Sequence, residues 1–136
     1  MTTYSTHFVA DPELLTALTK RSKPTRITGD RVLFRQGDAV VGLYVLTSGT
    51  ATLTMRSSKG EVVLKTHVGA GSILGLPAVI SNKPYTLTAE VLEASVVRLV
   101  DRDDFSDMIR THPQLSLKAL QVLAAEVRSV RTSLVS

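Results

Sequence analysis

The side chains best suited to metal or acid–base chemistry in this 136-residue chain are three histidines, His7, His67 and His112. Their spacing keeps them apart. No His-x-His or His-Glu-x-x-His pair occurs, which disfavours a metal site of the cupin or zinc-protease kind. His67 lies in a β-rich run and is expected to make an ordinary hydrogen bond. The carboxylates Asp101, Asp103, Asp104 and Asp107 are dense enough to suggest calcium, but the run lacks the central glycine and closing glutamate of a calcium loop. Negative charge at the start of a helix accounts for them. With no cysteine, thiolate nucleophiles, disulfides, iron–sulfur clusters and cysteine zinc sites are excluded together. Gly71-Ser72 sits in a plain turn without a nucleophile elbow, and no P-loop is present. The reading is of a chain that has no catalytic residues and needs neither metal nor haem.

Charge narrows the partners. Sixteen Lys and Arg stand against 12 Asp and Glu, a formal net charge of +4. The one dense basic stretch is Lys20, Arg21, Lys23, Arg26, Arg31 and Arg35, broken by Asp30, and only Phe34 offers an aromatic face among these charges. A solvated surface is expected there, and direct nucleic-acid binding by this chain alone is not. No run of 18 apolar residues and no basic-then-apolar leader occurs, so neither a membrane span nor secretion is expected, and a cytoplasmic address fits.

The elements that must position any site follow from periodicity. One domain is expected over residues 1–136, with an N-terminal helical segment at 8–24, a β block at 25–100 and two helices at 101–136. Asp11 followed by Pro12 opens a helix, because the carboxylate accepts from free amides and proline lacks only a hydrogen that would be orphaned anyway. From Thr25 to Val100 short β-rich runs alternate with turn signals such as Gly37-Asp38, Ser48-Gly49 and Lys59-Gly60. Ala51, Leu53 and Met55 alternate with threonines, and Val62, Leu64, Thr66 and Val68 repeat the device. The β pattern breaks at GSILGLPAVISNKPY, where a brief helical turn is predicted over Leu76–Ile80.

After Val100 the period becomes helical. Asp101 is expected to cap a helix carrying Phe105, Met108 and Ile109 that ends near His112, ahead of Pro113. A longer helix then carries Leu120, Leu123, Val127, Val130 and Leu134 at spacings of 3, 4, 3 and 4, a heptad seam. Leu115, Ala119 and Val122 lie off that seam. One face is expected to pack on the β block while the other meets a second copy of the chain.

This order of elements resembles the cyclic-nucleotide-binding domain, and in particular the sensor half of the catabolite activator and fumarate–nitrate regulator (Crp/Fnr) family. The matching residues are Leu33, Gly37-Asp38, Tyr44, Val45 and Gly49, then Gly71, Leu74 and Gly75, with Phe105 and Pro113 as helix landmarks. The resemblance covers about residues 8–136. It implies a mainly β fold with flanking helices, an antiparallel β-roll of jelly-roll type.

It also implies where an effector would sit. In ligand-binding members a Gly-Glu pair and an Arg-Ser/Thr pair of the phosphate cassette hold the ribose and the cyclic phosphate. Here Leu76 stands at the glutamate position, and Tyr85-Thr86-Leu87 falls on the Arg-Ser/Thr-Ala triplet. Leucine and tyrosine cannot replace a carboxylate acceptor and a guanidinium fork. At about 1.5–3 kcal/mol for each charge-assisted bond, the loss is roughly 3–6 kcal/mol, so cyclic AMP and cyclic GMP are not expected to bind in the ordinary way. Gly71, Gly75, Ala78 and Thr86 still offer donors to an anion, Lys83 is a candidate replacement charge, and Leu74, Leu76, Tyr85 and Leu87 make the candidate pocket apolar. Pro77 removes one amide from it.

The function implied is a non-catalytic effector-sensing and dimerisation domain in transcriptional regulation, with an unidentified small anionic or apolar effector and no cofactor. Three alternatives stay open: a structural module with a vestigial pocket, the sensor fragment of a longer DNA-binding regulator, and a small cupin-like enzyme. No helix-turn-helix follows the last helix before Ser136.

Overall fold

The computed structural model describes residues 10–25, 27 and 29–135, with side chains described as far as Arg128. His7, Arg26 and the side chains of Val130 and Leu134 lie outside the described residues. The chain opens with α1, Pro12–Lys20, whose Asp11 cap accepts from the amides of Glu13 at 2.9 Å and Leu14 at 3.4 Å. Leu14 and Leu18, four apart, are buried on one face of it.

Among the described residues eight strands follow: β1 Lys23–Pro24, β2 Val32–Phe34, β3 Gly42–Ser48, β4 Thr50–Arg56, β5 Val62–Gly69, β6 Ile73–Leu74, β7 Thr88–Val91 and β8 Val96–Asp101. They form two four-stranded antiparallel sheets, in the orders β1-β8-β3-β6 and β2-β7-β4-β5. Lys23 and Pro24, read in the sequence as part of the N-terminal helical segment, form a sheet edge against Leu99 and Arg98. An edge tolerates proline because the missing amide need not donate to a neighbour.

The predicted alternation decides what lies between the sheets. Ala51 and Leu53 on β4 and Leu64 and Val68 on β5 face one core, with Phe34, Tyr44, Leu46 and Ala89. Val62 departs from the pattern and is exposed, beyond a register shift that lets Arg56 pair with it. Strand β3 is buried on both faces. Tyr44 and Leu46 point into the roll, whereas Leu43 and Val45 point out toward the helices.

Those helices are α2, Leu76–Ser81, α3, Arg102–Thr111, and α4, Gln114–Val135. Together with α1 they cover the outer face of the β1-β8-β3-β6 sheet through Leu14, Leu18, Leu76, Phe105, Met108 and Leu115. Asp101 stands at the start of α3 as expected, but its side chain caps no amide and forms an ion pair with Lys23 instead. Two other cations of the basic stretch also have anionic neighbours, Arg35 with Asp30 at 3.0 Å and Arg31 with Glu93 at 3.7 Å. Lys118 of α4 reaches Asp11 at 3.1 Å and Glu13 at 3.6 Å, tying α4 to the beginning of α1.

Helix α4 has the two faces the sequence implies. Leu115, Ala119 and Val122 are buried, while Leu120 and Val127 are 52% and 50% exposed and Leu123 is half-buried. Among the described residues, no helix is long and apolar enough to cross a membrane.

Candidate functional site

The break between β5 and β7 is built on glycine. Gly71 turns the chain at φ 91° and donates its amide to the Leu46 carbonyl at 2.8 Å, delivering β6 alongside β3. Gly75, at φ 90°, then starts α2. A β-carbon on Gly75 would meet Tyr85 Cε1 at 3.0 Å, the Gly42 carbonyl oxygen at 3.4 Å and Phe34 Cε2 at 3.5 Å. Both its backbone angle and the ring beside it require glycine. Helix α2 stops at Asn82, which adopts the left-handed conformation, and the chain passes the exposed Lys83 to reach Tyr85.

Tyr85 is held by every group it possesses. Its amide donates to the Asp38 carbonyl at 3.0 Å, and its carbonyl accepts from the Gly37 amide at 2.8 Å. The phenol oxygen accepts from the Val41 amide at 3.1 Å and the Gly42 amide at 3.2 Å and donates to the Gly42 carbonyl at 2.7 Å. The ring lies on Phe34 with centroids 3.9 Å apart and planes 16° from parallel. Phe34 in turn stacks on Tyr44 at 5.8 Å, and burial pushes the Tyr44 phenol up to about 12. One residue thus fastens the 34–42 segment to the cassette. It leaves no hydroxyl proton free for a ligand.

The space that remains is a cavity of about 10 Å³, lined by Gly75, Ala78, Tyr85, Thr86 and Leu87, with Phe34, Leu53, Pro77 and Glu126 completing it. That volume holds about one water molecule. Of the residues singled out from the sequence, Gly71, Leu74, Leu76 and Lys83 do not line it. Leu74 packs inside the roll, and Leu76 is fully buried on the opposite side, in the cluster with Leu43, Val79 and Phe105. His67 lies away from the cavity and pairs through Nδ1 with the Thr52 hydroxyl across the β4–β5 ladder at 3.0 Å.

Glu126 is the residue that sequence reasoning passed over. It is only 3% exposed, and among the described residues its Oε2 has no hydrogen-bond partner. Burial pushes its carboxyl up to about 8. The signal was present in the spacing: Leu115, Ala119, Val122 and Glu126 are 4, 3 and 4 apart, so the glutamate is the next rung of the inner stripe.

Comparison with known proteins agrees with this geometry. The family model described as "Cyclic nucleotide-binding domain" matches residues 24–112. The chain is 27% identical over 124 residues to the CRP-like cAMP-activated global transcriptional regulator of Mycobacterium tuberculosis, covering 91% of this chain and 55% of that protein. It is 30% identical over 110 residues to the fumarate and nitrate reduction regulatory protein of Yersinia pestis, covering 80% and 42%. The crystal structure of the Thermus thermophilus catabolite activator protein shares the fold, with a TM-score of 0.76 at 21% identity over 91% of this chain and 58% of that one. The chain spans about half the length of the curated relatives it matches. With a family match across most of the β-roll, and regulators of this kind as its relatives, the chain belongs to the cyclic nucleotide-binding domains, as a sensor domain of the Crp/Fnr family.

Proposed function

We propose that this domain is a non-catalytic, cytoplasmic effector sensor that acts as a homodimer in transcriptional regulation and has given up ordinary binding of cyclic AMP and cyclic GMP. The observation that carries this reading is the position of Tyr85, whose ring and hydroxyl are consumed by Phe34, Val41 and Gly42 where the family's arginine would offer its fork. No Lys, Arg or His is among the described residues that line the cavity, and the leucine at the glutamate position is buried elsewhere. Without both charge-assisted contacts, affinity falls by about a hundred- to ten-thousandfold. Calorimetry should therefore find no saturable heat from either nucleotide in the micromolar range. Micromolar binding would sink the reading of the cassette.

The dimeric half of the proposal is supported by the outer face of α4. Leu117, Leu120 and Val127 are exposed there, beside an open groove of about 570 Å³ whose lining includes Ile80, Phe105, Ile109 and Leu120. Exposed apolar surface in such a row is what a second copy of the helix would cover. The wild-type protein is expected to sediment as a dimer at high micromolar concentration, and Leu120→Asp with Val127→Asp as a monomer with unchanged circular dichroism. A monomeric wild type would end this part.

The small cavity favours one second reading, an interaction module whose pocket is filled by its own side chains. Glu126 weighs against it. A packing role at that rung would be served better by an apolar residue than by a carboxyl without a donor.

A further inference from the structure

We infer that the cassette cavity is a site for a small organic cation, a primary ammonium group on a short apolar body, with Glu126 of α4 as its anchor. The inference deepens the proposal that the pocket has left cyclic nucleotides behind, and rests on it. Three observations converge. The described walls, Phe34, Leu53, Ala78 and Leu87, are apolar and suit an alkyl or aryl body. The one carboxyl in the lining is buried and its Oε2 lacks a donor. The other polar groups do not supply that donor: the Tyr85 hydroxyl proton is given to Gly42, the Thr86 hydroxyl in the lining makes no bond to Oε2, and no cation lines the cavity among the described residues.

The missing partner must be a donor, which separates the candidate ligand classes. An anion could accept only the single proton of the neutral acid, and would meet a like charge once that proton left. A neutral alcohol or amide would supply one ordinary hydrogen bond. An ammonium group supplies several donors and a positive charge, and a charge-assisted bond is roughly twice as strong as a neutral one. The head group is about the size of the water that the cavity holds. Its apolar body needs more room than the cavity has, so the inference requires the Glu126 rung of α4 to move outward on binding. Occupancy would then be felt on the opposite face of the same helix, where Leu120 and Val127 are exposed.

Protons must balance. Burial keeps the free carboxyl protonated at pH 7, since its pKa lies at about 8. An incoming ammonium keeps its own proton and stabilises the carboxylate, so the proton of Glu126 leaves to the buffer. Binding should release close to one proton per ammonium bound.

The test uses n-butylammonium, with 1-butanol and butyrate as neutral and anionic counterparts of similar size, titrated calorimetrically at pH 7 in phosphate and in MOPS, neither of which is a primary amine. The expected result is saturable binding of butylammonium at least about tenfold tighter than 1-butanol, with butyrate silent and the two buffers differing by the heat of one released proton. Glu126→Gln should weaken butylammonium at least about tenfold and abolish the buffer dependence. If that variant does not fold, proton release by the wild type decides alone. Butylammonium that fails to saturate by about 10 mM, binds without proton release, or binds the folded variant equally well overturns the inference. Micromolar cyclic AMP binding in the same cell would mark failure of the underlying reading. Silence from nucleotide and amine together would overturn only the cation site and leave the filled-pocket module.

Discussion

Glu126→Gln is expected to flatten a fall in stability that the wild-type domain shows between about pH 4.5 and pH 8. Burial raises the carboxyl from 4.5 to about 8, so the folded chain holds its proton over a range in which the unfolded chain has lost it. Below pH 4.5 both states are protonated and the group contributes nothing to the pH dependence. Between the two values the unfolded state gains about 1.4 kcal/mol per pH unit, and above pH 8 the loss is complete, at roughly 5 kcal/mol in all. Glutamine does not titrate, so the variant keeps whatever slope the other groups impose and loses this one. Urea unfolding at pH 5 and pH 9 reads the difference: at pH 9 the variant should be the more stable protein by roughly 2–4 kcal/mol, a gain that shrinks or reverses toward pH 5. Parallel pH profiles for the two proteins would place Glu126 in water.

The second large effect concerns an attempt to rebuild the family's nucleotide contacts. Leu76→Glu combined with Tyr85→Arg is expected to unfold the domain and not to create a binding site. Leu76 is fully buried among Leu43, Val79 and Phe105, beneath the helices, so a glutamate there meets no donor and no water. An unpaired buried charge together with a lost leucine costs about 4 kcal/mol or more. Tyr85→Arg removes the ring from Phe34 and leaves the Gly42 carbonyl without its phenol donor. Each unsatisfied buried group adds about 1–3 kcal/mol. Domains of this kind are stable by only about 5–15 kcal/mol, so the sum approaches or exceeds the whole. Thermal melting followed by circular dichroism tests this directly. A folded double variant that binds cyclic AMP would mean that residue 76 can turn toward the cavity.

What was legible in the sequence had a local cause. The threonine alternation placed Ala51 and Leu53 inward because a strand repeats every two residues, and Asp11-Pro12 marked α1 because capping acts within one turn. The direction of Leu76 was hidden, since a helix of six residues is too short to display a period. Tyr85 was located as the residue at the arginine position, yet its role depends on partners 43 and 44 positions away at Gly42 and Val41, and no local pattern encodes them. Asp101 was expected to cap because cap chemistry is local, and the ion pair with Lys23 from a distant strand won instead. Glu126 had the spacing of a buried rung. Its charge argued for the surface more strongly than its period argued for the core.

The tyrosine clamp also sets the terms of competition inside the pocket. The paired amides of Val41 and Gly42 converge on one oxygen, in the manner of amides that hold a dissolved anion, but the oxygen they hold belongs to the chain itself. Tyr85 is in this sense a tethered occupant, present at an effective concentration of about millimolar or higher that dilution cannot lower. A free molecule directed at those amides must outcompete it at every moment. The Glu126 end has no such resident among the described residues, so selection by an incoming molecule would take place at α4 and not at the phenol.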